Sequence, residues 1–402
     1  MKNQIERHYS AFKGELSKIF GFQKDFIFLD LTLGDGGHTE EALEAGCRVI
    51  SFDIDIEAIK RAIALVPDKY SPLIFEADNI TIPAPKDFNW IIVHQNFSKV
   101  GETFEKLQLP KVDGIIVDLG PSQFQILSPD RGFSFNLDEP LDMRLTKDQG
   151  VTAADLLAVL NEGELSELFT LGDEPFAKPL ARIIVKQRTI NPIKTTKQLA
   201  DLVYKVKKGR SGKIHPATQV FMALRMVVNL ERENINLLLP QLPQLLKKDG
   251  QMGLISFHSG EDKLIKEFIN NEHKKGDLSV INEKPIEPST FELSISPRTR
   301  SAKLRIAKKI INYKTAITIT AVIFICLAAF NLVGTNSLST EGVVVSEVET
   351  KTLKLEKENQ IISVKIEEAS QLKNIETLAE SRGFIRSKSI VFVPTPPTFA
   401  QR

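Results

Sequence analysis

Short apolar runs that end in a polar residue recur along the first 260 residues of the chain. They are rich in Val, Ile, Leu and Phe, a composition typical of strands buried in a parallel sheet. They occupy residues 26–30, 48–52, 90–94, 114–117 and 251–257. Residues with helical periodicity lie between them. The alternation predicts an α/β fold built on a parallel-rich sheet.

A glycine turn follows the first predicted strand. Gly34, Gly36 and Gly37 stand between Asp30 and a stretch with a helical pattern. A strand, a glycine turn and a helix N-terminus let the backbone approach a ligand closely. Asp53 ends the next strand, where an acidic side chain can accept both hydroxyls of a ribose. The pattern predicts a site for a cofactor that contains a nucleoside.

The glycine turn also narrows the choice of cofactor. It reads G-x-G-G, whereas dinucleotide sites read G-x-G-x-x-G. Asp30 precedes the turn and would repel a pyrophosphate. A cationic cofactor without phosphates, such as S-adenosylmethionine, suits that charge better. A glycine turn that binds no ligand is the alternative that the motif alone leaves open.

Polar side chains near the ends of later strands extend the predicted site. Asp118 ends the strand at 114–117, and ligands bind at the carboxyl ends of open parallel sheets. A Gly-Pro turn then displays Ser122 and Gln125. Phe97 follows another strand and is expected either to stack on an adenine ring or to pack in the core.

The alternation of strands stops at residue 128, and helical patterns continue to residue 213. Helices are predicted at 151–170, 176–188 and 195–207. We interpret 128–213 as a helical insertion. A basic patch near its end fits either a solvated helix terminus or contact with a nucleic-acid backbone. The patch consists of Lys205, Lys207, Lys208, Arg210 and Lys213.

Three further stretches are each predicted to form a particular structure. Four prolines between 67 and 89 predict a surface excursion, and 215–232 predicts one long helix. One more strand is expected soon after residue 296. The formal net charge of +1 over 402 residues predicts no class of partner.

A series of motifs resembles the MraW/RsmH methyltransferases, which methylate N4 of a cytosine in bacterial small-subunit (16S) ribosomal RNA. The matching stretches are 33–39, 113–120, 130–135, 140–144, 176–178, 215–218, 255–259 and 296–301. The resemblance covers about residues 5–308. It implies a class I methyltransferase with a Rossmann-like fold, divided into 1–127 and 214–308 by a substrate-recognition insertion at 128–213. It also implies S-adenosylmethionine as cofactor and small-subunit ribosomal RNA as partner.

The resemblance carries over to individual residues. The implied cofactor-binding residues are Gly36, Gly37, His38, Asp53, Phe97, Asp118 and Gln125. A methylase must orient the weakly nucleophilic amine and stabilise its developing positive charge. The candidate catalytic residues are Asp118, Ser122 and Asp142, with His258 as proton acceptor. The aromatic platform for an unstacked base is expected from Phe124, Phe133 and Phe135. No metal is expected, because no His/Cys cluster has ligand spacing.

An uncharged apolar stretch at 315–333 follows a basic run at 298–314. This pattern predicts a transmembrane helix that tethers a cytoplasmic catalytic part to the inner membrane, with the tail on the other side. Residues 345–380 carry apolar residues at heptad spacing, with Asn359 at an inward position, so they predict a coiled coil. A shift of phase before Leu372 predicts a stammer. A lone solvated amphipathic helix is the alternative, and 381–402 form the terminal tail.

The tail resembles the bitopic division protein FtsL over about 305–395, which implies coiled-coil division proteins as partners. A homodimer is another expected assembly.

The MraW/RsmH family usually has Gly-Val-Ser-Ser-Pro-Gln where this chain has Gly-Pro-Ser-Gln-Phe-Gln at 120–125. That difference favours a second hypothesis, a membrane-anchored cell-division scaffold with an inactive methyltransferase-like domain. A DNA or protein methylase is a third, because the glycine turn does not select the methyl acceptor.

Overall fold

The computed structural model describes residues 9–76, 80, 82–147, 150–207, 215–310 and 313–385. Within these ranges, it does not describe the side chains of 313–316, 333–341 and 372. The chain divides into two units, Met1–Tyr313 and Lys314–Arg402.

An eight-stranded sheet forms the centre of the first unit. Its strands are β1 (Ile27–Asp30), β2 (Arg48–Asp53), β3 (Leu73–Glu76), β4 (Trp90–His94), β5 (Val112–Asp118), β6 (Leu246–Ser256), β7 (Leu278–Val280) and β8 (Lys303–Lys309). Their order across the sheet is β3-β4-β2-β1-β5-β6-β8-β7. The strands from β3 to β6 are parallel, whereas β8 runs antiparallel to both β6 and β7. The predicted α/β fold with a parallel-rich sheet is confirmed.

The helices of the first unit cover both faces of the sheet or form the insertion. They are α1 (Leu16–Phe20), α2 (Gly37–Glu44), α3 (Ile56–Leu65), α4 (Val100–Leu107), α5 (Gln123–Leu127), α6 (Ala153–Val159), α7 (Glu162–Leu171), α8 (Ala177–Arg188), α9 (Thr196–Val206), α10 (Thr218–Val228), α11 (Glu231–Leu238), α12 (Leu242–Leu245), α13 (Ser259–Lys275) and α14 (Thr290–Ile295).

The central strands are apolar on both sides because a separate hydrophobic core covers each face. Ile91 and Val93 pack into one core, whereas Trp90 and Ile92 pack into the other. Successive side chains of a strand point to opposite faces, so every residue of such a strand is buried. This arrangement explains why the central strands stand out in the sequence as continuous apolar runs.

The expected surface excursion at 67–89 is wrong in part, because it contains strand β3. This strand pairs in parallel with β4 at the edge of the sheet. Leu73 and Ile74 are 42% and 50% exposed, so the strand lacks the long apolar run of a buried one. The strand expected after residue 296 is present as β8.

Two predicted helices are interrupted. The stretch 151–170 forms α6 and α7, and the side chains of Thr152 and Asn161 accept N-capping hydrogen bonds at the two starts. The stretch 215–232 forms α10 and the start of α11, separated at Leu230 with φ 50°. Helix α10 packs in the hydrophobic core of the insertion, so that core extends beyond residue 213.

The second unit contains one long helix, α15 (Tyr313–Ser370), and a short one, α16 (Leu372–Ser381). The transmembrane prediction for 315–333 is not confirmed. In the part of the chain that the structure describes, no helix is long and apolar enough to cross a membrane.

The predicted coiled coil at 345–380 stays a prediction, and its stammer is wrong. A stammer changes the phase of a continuous helix, but here Gln371 has φ −57° and ψ 127°, and it separates α15 from α16. The predicted tail at 381–402 begins within α16, and 386–402 lie outside the described residues.

Candidate active site

A cavity opens at the carboxyl ends of β1, β2, β4 and β5, in the first unit. Five of the predicted cofactor-binding residues line it: His38, Asp53, Phe97, Asp118 and Gln125. Ser122 lines it as well. We call this space the cofactor cavity. The parallel strands bring these side chains to one edge of the sheet, although they are far apart in the sequence.

Asp53, at the end of β2, accepts a hydrogen bond from the glycine turn. Its Oδ2 accepts a hydrogen bond from the Gly34 amide at 2.8 Å, and its Oδ1 accepts one from the Asp55 amide at 2.8 Å. Burial raises the pKa of Asp53 to about 6, and its two backbone hydrogen bonds oppose that rise. A carboxylate at this strand end can accept the hydroxyls of a ribose, and this role of Asp53 stays a prediction.

His38 and Asp118 form a pair in the cofactor cavity, with Nε2 and Oδ2 3.4 Å apart. Burial lowers the pKa of His38, but Asp118 and Asp30 outweigh that effect, so the pKa is raised overall. His38 Nδ1 and Asp118 Oδ1 are buried and have no hydrogen-bond partner among the described residues. Buried polar atoms are normally satisfied, which indicates a ligand with complementary groups.

Gly36 and Gly37 shape the turn without lining the cofactor cavity. Gly36 has φ 75°, and a Cβ there would lie 3.0 Å from Val66. A Cβ on Gly37 would lie 2.0 Å from the Ser10 hydroxyl oxygen, so the N-terminal segment packs closely over the turn. Ser10 itself lines the cofactor cavity. Sequence reasoning missed Ser10, because a serine in a polar stretch carries no pattern.

Asp30 lies beneath the turn. It is fully buried, accepts a hydrogen bond from the Thr39 hydroxyl at 2.8 Å and accepts one from the Thr32 amide at 3.1 Å. The Thr39 hydroxyl in turn lies 2.9 Å from that of Ser51. Burial raises the pKa of Asp30. Its role in this structure is to support the turn and the start of α2.

Ser122 and Gln125 form a capping box at the start of α5. The Ser122 hydroxyl accepts from the Gln125 amide at 3.2 Å, and the Gln125 side chain accepts from the Ser122 amide at 2.8 Å. Gln125 Nε2 also donates to Asp55 Oδ2 at 2.9 Å, and Arg131 donates to the same oxygen at 2.7 Å. Both side chains therefore have structural partners at the wall of the cofactor cavity.

The structure does not bring Asp142 or His258 to the cofactor cavity. Asp142 forms a bidentate ion pair with Arg144, at 2.7 and 2.8 Å, in a neighbouring cleft. His258 caps α13, and its Nε2 lies 3.1 Å from Glu261 Oε1. The predicted role of His258 as proton acceptor finds no geometric support, because its ring is directed at Glu261.

His258 belongs to a cluster of potential metal ligands with Glu231 and Glu261, whose ligand atoms lie within 4.8 Å of one another. Arg225 donates hydrogen bonds to both carboxylate oxygens of Glu231, from Nε to Oε1 at 2.7 Å and from Nη2 to Oε2 at 3.0 Å. The pKa of Glu261 is lowered, because the hydrogen bond and the charge of His258 outweigh the effect of burial. We interpret the cluster as structural, because Arg225 pairs with both oxygens of Glu231, and Glu261 accepts a hydrogen bond from the Phe257 amide.

Two of the three candidate aromatic residues pack in the insertion. Phe133 belongs to its hydrophobic core, and Phe135 stacks on His215 with ring centroids 4.3 Å apart. Phe124 lies in the neighbouring cleft, where the Arg61 guanidinium sits 4.1 Å from its ring centroid. Phe124 is therefore the candidate whose ring lines a cleft.

The structure describes two residues of the predicted basic patch, and one of them is buried. Lys205 is exposed, but Lys207 is buried, with its Nζ 2.6 Å from both a Glu174 carboxylate oxygen and the Pro216 carbonyl oxygen. The remaining patch residues, 208, 210 and 213, lie outside the described residues.

The residues of the cofactor cavity fit S-adenosylmethionine. Asp118 Oδ1 can accept from its ammonium group, and a protonated His38 Nδ1 can donate to its carboxylate. Asp53 lies at the strand end that binds a ribose in folds of this kind, and Phe97 offers a ring for the adenine. The fold and the cavity together define a class I methyltransferase with S-adenosylmethionine as its cofactor.

The comparison with known proteins agrees with this class. The chain matches the MraW methylase family over residues 6–310, so it belongs to that family. It is 35% identical to the ribosomal RNA small subunit methyltransferase H of Coprothermobacter proteolyticus, over 77% of this chain and 98% of that protein. It is 40% identical to the protein of that name from Picosynechococcus sp., over 75% and 96%. A Clostridium botulinum relative with the same name is 36% identical, over 76% and 99%.

Proposed function

We propose that this chain transfers a methyl group from S-adenosylmethionine to N4 of a cytidine in the 16S ribosomal RNA of the small subunit. The observation that carries the proposal is the pair of buried, unsatisfied atoms at His38 and Asp118, beside the ribose-binding position of Asp53. The names of the relatives support a small-subunit substrate. We place the catalytic part in the cytoplasm, where such a substrate is found.

Methyl transfer to this amine depends more on how the amine is oriented than on a strong acid or base in the site. The lone pair of the cytosine amine is delocalised into the ring, so the amine must be held in line with the methyl donor. S-adenosylmethionine supplies an electrophilic methyl group on a sulfonium. N4 gains this methyl group as the bond between the methyl carbon and the sulfonium sulfur breaks; the sulfur keeps that electron pair, and N4 releases one proton to solvent. Asp118 provides negative charge at the strand end, which stabilises the positive charge that develops on N4.

Two measurements on the full-length chain test this proposal. Calorimetric titration with S-adenosylmethionine is expected to give one site per chain. Transfer of a tritiated methyl group is expected with small subunits that lack this methylation, and not with fully methylated ones. A chain that does not bind S-adenosylmethionine would support the inactive-scaffold hypothesis. A chain that binds it but methylates only DNA or protein would support the third hypothesis.

We propose a separate role for the second unit, as a coiled-coil segment of the kind found in FtsL-like division proteins. Apolar side chains that are more than half exposed recur at heptad positions along α15: Val348, Leu355, Ile362 and Ile366. Asn359 occupies an inward heptad position, as polar residues that set register do. A second helix seated on this stripe would bury those side chains.

Analytical ultracentrifugation of the full-length chain tests the coiled-coil proposal. Leu355→Asp is expected to weaken self-association or binding to a division protein, because it places a charge in the apolar stripe. The matched control is Lys357→Asp, on the same helix and outside the stripe. Equal association by both variants would contradict the proposal.

A further inference from the structure

A groove lies between helices α8 and α9 of the insertion. Ile183, Leu202 and Val206 line it with half-buried apolar side chains, and the exposed Pro179 lines it as well. Leu202 and Val206 also pack against the hydrophobic core of the insertion, so that core sets their positions. None of the described residues that line this groove also lines the cofactor cavity. We call it the insertion groove.

Three cationic side chains complete the lining of the insertion groove: Lys178, Arg182 and Lys205. All three are exposed. No Asp or Glu is among the described residues that line the groove. Lys178 and Arg182 stand four residues apart on α8, so they lie on one face of that helix, about 6 Å apart along its axis. The groove therefore presents positive charge from both of its helices.

The protein itself makes little use of these three cations. Arg182 lies 3.2 Å from Glu162, but the two side chains are 77% and 47% exposed, and ion pairs in water contribute little to stability. Lys178 and Lys205 form no ion pair with another described residue. Lys207, by contrast, is buried in an ion pair. The cations of the groove are therefore available to an anionic ligand.

We propose that the insertion groove binds the sugar-phosphate backbone of the ribosomal RNA substrate. An RNA strand carries one negative charge on each nucleotide, so a groove with three cations and no carboxylate complements it. Lysine and arginine are the side chains that most often hold phosphate oxygens. Contacts of this kind position a substrate without reading its sequence. The inference rests on the proposed function.

An acidic helix of a protein is the other occupant that a basic groove with apolar side chains can accept. RNA is favoured because the proposed methyl acceptor is a nucleotide, so an RNA strand must lie against this chain during the reaction. Nothing in the described part of the chain calls for an acidic protein helix in addition. The experiment below distinguishes the two occupants.

The assignment separates the roles of two neighbouring lysines in the predicted basic patch. Lys205 contacts the nucleic acid, whereas Lys207 stabilises the insertion. Because the groove and the cofactor cavity share no described residue, the phosphate contacts hold the substrate equally before and during methyl transfer. Their loss is therefore expected to raise KM for the small subunit while kcat and cofactor affinity stay nearly unchanged.

Four variants test the groove. The triple variant Lys178→Gln, Arg182→Gln, Lys205→Gln removes its three charges at exposed positions, where the fold tolerates substitution. Lys205→Gln removes one charge, and Lys205→Arg keeps it. The matched control is Lys197→Gln, the same change at an exposed position of α9 that does not line the groove. Thermal unfolding of each variant verifies that it is folded.

The experiment measures methyl transfer to unmethylated small subunits and the affinity of the full-length chain for those subunits and for protein-free 16S RNA. The triple variant is expected to raise KM and both dissociation constants by about 10- to 100-fold. Its plot of log affinity against log salt should be less steep by about 2, because each phosphate contact with a single strand contributes about 0.7. Lys205→Arg and Lys197→Gln are expected to bind as the wild type does.

Three results would overturn the groove assignment. One is an unchanged salt dependence in the triple variant. Another is equal weakening by Lys205→Gln and Lys197→Gln, because a general effect of charge would then explain the binding. The third is weaker binding to small subunits with unchanged binding to protein-free RNA, which would assign the groove to an acidic protein. If the triple variant loses RNA affinity as expected but the wild type does not methylate small subunits, it is the proposed function that fails.

Discussion

The imidazole of His38 and the carboxylate of Asp118 connect the start of α2 to the end of β5, with Nε2 and Oδ2 3.4 Å apart. The contact joins two parts of the chain that both border the cofactor cavity. Each residue also keeps one buried atom without a partner among the described residues. The same pair therefore contributes to the fold and presents groups to a ligand.

The contribution of His38 to stability is expected to depend on pH. Because its folded pKa is raised above the unfolded value of about 6.5, the contribution is complete below that value. It is lost as pH rises through the folded pKa. The unfolding free energy of the wild type minus that of His38→Gln is expected to fall as pH increases from 6 to 9. Urea denaturation at several pH values measures it, and a constant difference would contradict the assignment.

Asp53 is expected to couple cofactor affinity to pH in the opposite direction. Its pKa is raised to about 6, so the carboxylate that accepts ribose hydroxyls is lost as pH falls below that value. Affinity for S-adenosylmethionine should fall between pH 7 and 5 in the wild type, and Asp53→Asn should lack this fall. Asp53→Ala should weaken binding by about 10- to 100-fold. Calorimetry measures each affinity, and an unchanged value for D53A would exclude the ribose assignment.

Gly36→Ala is expected to destabilise the turn. Gly36 has φ 75°, where an L side chain costs about 1–2 kcal/mol, and the new Cβ would lie 3.0 Å from Val66. The control is Gly150→Ala, where a Cβ meets nothing within 4 Å. Thermal unfolding should show a lower Tm for G36A alone. Equal effects of both changes would mean that the turn tolerates a side chain at this position.

Lys207→Met is expected to destabilise the insertion by about 3–5 kcal/mol, because it leaves the buried Glu174 carboxylate without its cation. Lys205→Met removes the same charge from an exposed position two residues earlier and should have little effect on stability. Chemical denaturation compares the two variants. A similar loss of unfolding free energy in both variants would indicate that the Lys207–Glu174 ion pair does not stabilise the insertion.

The central strands could be predicted because burial on both faces leaves no polar position to interrupt the pattern. Trp90 and Ile91 pack into different cores, so both faces of the strand are apolar and its residues form one continuous apolar run in the sequence. Strand β3 could not be predicted in the same way, because its edge position leaves Leu73 and Ile74 about half exposed. The break at Leu230 was missed because neither glycine nor proline marks it.

The candidate residues at strand ends were easier to bring together from the sequence than the other candidates. Asp53 and Asp118 end strands, and the sheet alone brings strand ends together. The position of His258 depends on Glu261, which no strand pattern predicts. Ser122 is treated as a candidate catalytic residue on the sequence alone. Its Ser-x-x-Gln pattern is also the signature of a capping box, which is what the structure shows.

The chain passes within one residue from the core of the insertion to Asn229, which contacts the wall of the cofactor cavity. Val228 packs in the core of the insertion, and Asn229, which follows it, holds the backbone of Met143 and Leu145. Leu145 lines the cofactor cavity. A displacement of α10 is therefore expected to reach Leu145, at the cofactor cavity, through the two hydrogen bonds of Asn229.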